Sequence, residues 1–295
     1  MFAKATKRKQ KARLAITGPA KAGKTRTALS IAKYLGKTVA VIDTERGSAS
    51  KYAGDDFAPE FDTAELRTFS PAEYRKAMRE ASAYDVLVID SLSHAWMGEG
   101  GILDQKDRST NKSSFDAWRT LTPQHNELVD ALLGFPGHLI VTMRVKTEYV
   151  LETDSRGKQV PRRVGLAPVQ RDGIEYEFDV LAEMDHDHSL HVPSSRCSDL
   201  DGVTIRRPTG EEIARTLLAW LDDGAAPLTT EERLRAISSK DALHEFLRTG
   251  RGTLDRATAE PWVRECAARV GADVEKAVAF CWPAACRVAG KWVTL

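Results

Sequence analysis

An α/β fold, with a mostly parallel sheet flanked by helices and a small helical region after it, is predicted by three features. Short apolar runs alternate with amphipathic helical patterns over residues 13–222. A loop bracketed by Gly18 and Gly23 joins the first apolar run to the first helix. A linker-like stretch at residues 223–228, with Gly224 and Pro227, precedes an Ala-, Leu- and Arg-rich region at 229–295 that reads as helical. Residues 1–12 form a basic arm.

In chain order, residues 13–17 read as the first strand. Residues 24–35 read as a helix, because Ala28, Ile31, Ala32 and Leu35 share a face and Gly36 stops it. Residues 38–43 and 85–90 are continuous apolar runs, the pattern of strands buried on both faces. Between them, residues 71–82 form a helix with Ser70 as N-cap and Pro71 at its first position. Residues 115–133 read as a helix broken or kinked at Pro123, and residues 138–144 as a fourth strand. Residues 148–172 are polar and charged, predicting a hairpin or long loop. Residues 178–184 and 189–192 look like paired late strands. A last core helix starts near Thr209, whose side chain is the expected cap.

Composition narrows the function classes. Net charge over the 295 residues is +1, so no global field announces a nucleic-acid binder. Locally, Lys4, Lys7, Arg8, Lys9, Lys11 and Arg13 form an acid-free arm, either a solvated tail or a phosphate-seeking one. The apolar runs are too short for a membrane helix, and no apolar segment follows the basic N-terminus as in a signal peptide, so the cytoplasm is the expected location. Four cysteines without zinc spacing read as reduced thiols. The string Asp185-His-Asp-His188, with His191, reads as a polar hairpin turn.

The loop Gly18, Pro19, Ala20, Lys21, Ala22, Gly23, Lys24, Thr25 fits the phosphate-binding pattern GxxxxGKT, with Arg26 just inside the helix. A phosphate chain is bound there by backbone N–H groups and a helix N-terminus, which calls for glycine where the loop wraps close. Lys24 reaches the terminal phosphates and Thr25 places its hydroxyl on Mg²⁺, so ATP and Mg²⁺ are the expected cofactors. Asp90, closing the third strand, is the second magnesium anchor. Ser91 follows it, where many such enzymes carry an acid. Glu45, at the end of the neighbouring strand, is therefore the candidate to orient or deprotonate the attacking water, with Asp43 as its competitor.

Taken in order, the phosphate loop, Ile42-Asp-Thr-Glu45, Val88-Ile-Asp-Ser91 and Leu139-Ile-Val-Thr-Met-Arg144 resemble the core of RecA-type recombinases. Residues 43–49 and Tyr176-Glu-Phe-Asp179 look like the phage-encoded RecA-like single-strand annealing ATPases, also described as phage AAA ATPases. The resemblance covers about residues 12–222. It implies a RecA-like P-loop ATPase, stimulated by single-stranded DNA, with ATP at the interfaces of a homo-oligomer and a single-strand-binding protein as a further partner. Two segments become DNA-facing candidates: residues 96–114, with Lys106, Arg108 and Lys112, and residues 147–170, with Arg156, Lys158, Arg162 and Arg163. Thr142 stands where RecA has a γ-phosphate-sensing glutamine, leaving Arg144 as the catalytic candidate for that task. With no acidic tail and no N-terminal polymerisation domain in the sequence, annealing is favoured over strand exchange. A helicase-type motor and an ATP-switched binding module remain as alternatives.

Overall fold

The computed structural model describes residues 6–7, 9–109, 114–153, 159–225, 229–250, 255–282, 285–288 and 291–294. They belong to two compact units, residues 1–224 and 225–295.

The first unit opens with β1 (Arg13–Gly18), the glycine loop and α1 (Lys24–Leu35), followed by β2 (Val39–Asp43) and β3 (Phe61–Glu65). α2 (Pro71–Glu80) starts as its sequence predicts: Ser70 accepts a hydrogen bond from the Glu73 N–H, and Pro71 needs no donor at that position. β4 (Val86–Asp90) is followed by the short helices α3 (His94–Met97) and α4 (Ile102–Asp107), then α5 (Ser114–Leu133). β5 (His138–Thr153) and β6 (Gln159–Pro168) come next, then β7 (Val180–Met184), β8 (Ser189–Ser195), β9 (Thr204–Arg206) and α6 (Glu211–Asp222).

The sheet runs β3-β2-β4-β5-β1-β7-β8-β9. From β3 to β7 every pairing is parallel, so these carboxyl ends share one edge. β8 and β9 complete it antiparallel, and the outer half of β5 pairs only with β6 as a hairpin. Two cores form because successive strand residues point to opposite faces. Leu14, Ile16, Val41, Val88 and Ile140 pack with α1 and α6, while Ala15, Ile42, Leu87, Ile89 and Val141 pack with α2 and α5. Each fully buried Leu or Ile contributes about 2 kcal/mol of transfer free energy.

Several local expectations are corrected. β3 carried no apolar run because it is an edge strand, with Asp62 to Glu65 exposed. α5 is not broken at Pro123: it runs on through it, with Leu121, Leu128 and Leu132 buried on its packed face. The cap of α6 is Gly210 in a left-handed conformation, not the Thr209 side chain. The first DNA-facing candidate segment is not an open loop, since α4 lies inside it.

In the second unit, α7 (Thr230–Ala236), α8 (Lys240–Gly250), α9 (Arg256–Arg269) and α10 (Val274–Cys281) enclose Leu234, Leu243, Leu247, Val263 and Val278. Thr229 and Glu232 form a reciprocal capping box on α7. Where an all-helical region was expected, β10 (Ala285–Val288) and β11 (Lys291–Thr294) form a hairpin. Its four-residue strands are too short for periodicity to register.

Candidate functional site

Strand register assembles the site. The β1–β5 pairing sets Gly18 beside Arg144, and the β2–β4 pairing sets Asp43 beside Asp90. The phosphate loop, the end of β2, the end of β4 and the root of the β5–β6 hairpin therefore meet at one sheet edge, where open α/β sheets place ligands. They line a cavity of about 1180 Å³ with Lys24, Thr25, Glu45, Asp90 and Arg144 on its walls.

Lys24 donates to the carbonyls of Gly18 at 2.9 Å and Pro19 at 2.8 Å, which holds its ammonium over the loop. Burial lowers its pKa, while Asp90 and Glu45 pull it back up. Thr25 Oγ1 donates to Asp90 Oδ2 at 2.6 Å, and Thr142 donates to Asp90 Oδ1. Asp90 is 2% exposed; burial raises its pKa and the two threonine bonds oppose that rise. A hydroxyl beside a buried carboxylate is the oxygen donor set that a small, hard cation takes, so Thr25 and Asp90 could hold Mg²⁺. Thr142 is fully buried, with its hydroxyl committed to Asp90.

Glu45 and Asp43 separate clearly. Asp43 is fully buried, and its two oxygens accept the N–H groups of Glu45 at 2.6 Å and Ala49 at 3.0 Å, shaping the turn. Glu45 faces the cavity. Arg144 grips it as a fork, with Nη2 at 2.7 Å from both Oε1 and Oε2 and Nε at 3.1 Å from Oε1. Ser91 is buried and absent from the cavity wall, so it does not replace an acid there. Sequence reasoning missed this Glu45–Arg144 pairing, since the two residues lie on non-adjacent strands and only register brings them together.

The hairpin is anchored into the same place. Arg144 N–H donates to Ser93 Oγ at 2.9 Å, and buried Gln170, just past β6, donates to the Leu92 carbonyl at 3.1 Å. The remaining loop residues also line the cavity, among them Ala20, Lys21, Gly23 and Arg26, whose guanidinium lies 4.6 Å from the Phe57 ring centre. Pro19 and Ala22 contribute through their backbones.

Among the described residues, two of the DNA-facing candidates have acidic neighbours. Arg108 pairs with Asp104 at 3.0 Å and Lys106 stands 4.0 Å from Asp107. Lys112, Arg156 and Lys158 lie outside the described residues. Arg162 and Arg163 hold β6 register positions opposite Val150 and Tyr149. In the basic arm, Lys7 pairs with Asp223 and Lys9 with Asp222, and Arg13 donates to the carbonyls of Leu133 and Gly137. Asp185 to His188 form the β7–β8 turn.

A family model described as an AAA domain matches residues 10–211. The chain belongs to that family. The match spans the entire cavity wall, so this AAA domain is an ATP-binding, P-loop fold of the ATP-hydrolysing type. No curated protein matches the chain at significant similarity. Among the described residues no helix is long and apolar enough to cross a membrane.

Proposed function

We propose that this AAA domain is a Mg²⁺-dependent ATPase that works on single-stranded DNA, a RecA-like annealing protein of the phage-encoded type acting in the host cytoplasm. The observation that supports it most is the convergence of Lys24, Thr25, Asp90 and Glu45 on one cavity. The Arg144 fork joins the candidate water-activating carboxylate to the root of the β5–β6 hairpin.

In this reading the N–H groups of residues 20–25 cradle the phosphates and Lys24 adds charge at the transferring one. Mg²⁺ bound at Thr25 and Asp90 would neutralise charge on the terminal phosphates. Glu45 orients the attacking water and accepts its proton, and Arg144 sets the direction of that carboxylate. Lys106, Arg108, Lys112, Lys158, Arg162 and Arg163 contact DNA phosphates. The active form is a homo-oligomer with ATP between subunits, served by a single-strand-binding protein.

ATP turnover with and without single-stranded DNA, followed by annealing of complementary strands, tests the proposal. Stimulation by DNA and ATP-dependent annealing are expected. Replacing Lys158, Arg162 and Arg163 by alanine should flatten the salt dependence of binding by about 0.7 in log–log slope per lost phosphate contact. Turnover indifferent to DNA would remove the DNA part. A second reading, ATP as an occupancy switch with little turnover, is favoured by the same fork, which occupies both Glu45 oxygens.

A further inference from the structure

The Asp185-His-Asp-His188 string lies against the phosphate loop. Asp185 Oδ1 accepts the N–H groups of Asp187 at 2.9 Å and Ser189 at 2.8 Å, closing the turn. His188 has φ +61°, and its carbonyl accepts the Arg207 N–H at 2.9 Å, which locks the residue between β8 and β9. From there its Nδ1 stands 3.0 Å from the Ala22 carbonyl oxygen. His188 lines the cavity beside the loop, and the fit there is close. A Cβ on Gly23 would lie 3.3 Å from His188 Nδ1, and one on Gly18 would lie 2.6 Å from the Met184 carbonyl.

We propose that His188 is a positioning residue of the nucleotide site, which sets the orientation of the Ala22–Gly23 peptide. The inference rests on reading the loop as a phosphate site. A carbonyl can only accept, so the bond requires the proton on Nδ1. In a planar trans peptide the C=O and N–H point in opposite directions. Turning the Ala22 carbonyl back to His188 therefore turns the Gly23 N–H forward, away from the β7–β8 turn. A peptide flip would rotate ψ of Ala22 and φ of Gly23 together. Glycine, here at φ +97°, makes both orientations accessible, so the loop itself does not choose between them. His188 supplies the choice from outside the loop.

Two substitutions separate this role from mere support of the turn. His188→Asn keeps the donor, because Asn Nδ2 and His Nδ1 are both bonded to Cγ, and Asn tolerates positive φ. His188→Gly relaxes the backbone but removes the donor. Binding of Mg-ATP and Mg-ADP by calorimetry, KM and kcat for ATP, and thermal melting are measured for both, with wild type and Lys24→Ala alongside. His188→Gly is expected to weaken both nucleotides about tenfold, the effect of one hydrogen bond to a charged partner. Its KM should rise with little change in kcat or melting temperature, and His188→Asn should restore affinity to within about twofold. Wild-type affinity in His188→Gly, or equal loss in both variants, overturns the inference alone. A wild type that binds no nucleotide overturns the phosphate-site reading and this inference with it.

Discussion

The Glu45–Arg144 fork can be dissected by a double-mutant cycle of Glu45→Gln, Arg144→Ala and the pair. With charge centres about 4 Å apart and an effective dielectric of about 20, the gross attraction is about 4 kcal/mol. The side chains are 28% and 40% exposed, so water screens much of it. Two-point hydrogen bonding to a carboxylate recovers part of that loss. A net coupling of about 1–2 kcal/mol follows, read as the interaction term in urea denaturation of nucleotide-free protein at low salt. Near 1 M salt, where the Debye length is about 3 Å, the coupling should shrink markedly. A coupling below about 0.3 kcal/mol at low salt would refute the fork as a defined element of the site.

Other outcomes follow from single contacts. A Cβ on Gly210, at φ +84°, would lie 2.4 Å from the Ser30 carbonyl carbon, so Gly210→Ala should cost more than about 3 kcal/mol; melting within about 2 °C of wild type would contradict this. Thr142→Val removes a hydrogen bond to Asp90 and should weaken Mg²⁺ dependence about tenfold, with Thr142→Ser close to wild type in a Mg²⁺ titration of turnover. His138 accepts the Ala12 N–H at Nδ1, and burial with the nearby Lys11 and Arg13 charges pushes its pKa down from 6.5 to about 4. Between those values the unfolded chain binds more protons, so stability is lost as pH falls from about 6.5 to 4, by about 2–3 kcal/mol. His138→Asn, which keeps an acceptor and cannot titrate, should show a correspondingly flatter pH–stability profile by denaturation.

What was legible in the sequence had continuous pattern behind it. The buried strands β2 and β4 are unbroken apolar runs, and Gly18 to Thr25 is a local motif, so both could be read without knowing any contact. The edge strand β3 could not, because an exposed strand needs no apolar run. At Pro123 the sequence left a break or a kink open, and packing of the α5 face excludes the break. Within the site, Asp90 and Glu45 were marked by their places at strand ends. The second role of Thr142, the Arg144 fork and the contact of His188 with Ala22 all arise between segments 50 or more residues apart. Sheet register decides them, and no local spacing encodes it. The bearing of Lys106 and Arg108 was obscured for a related reason: α4 gives Arg108 an i,i+4 partner in Asp104 that a loop would not have supplied.

In the proposed mechanism Lys24, Thr25, Asp90 and Glu45 act together as one ATP-hydrolysing, Mg²⁺-dependent site. Phosphate release by wild type, Lys24→Ala and Glu45→Gln, measured with equilibrium ATP binding and with Mg²⁺ present or chelated, tests it most directly. Glu45→Gln keeps the side-chain shape and removes the base, so it should bind Mg-ATP with wild-type affinity and lose turnover by at least about a hundredfold. Lys24→Ala should lose turnover to a similar degree, and chelation should silence the wild type. Turnover by Glu45→Gln within a few-fold of wild type, while chelation still abolishes it, would show that another group activates the water and would contradict the account.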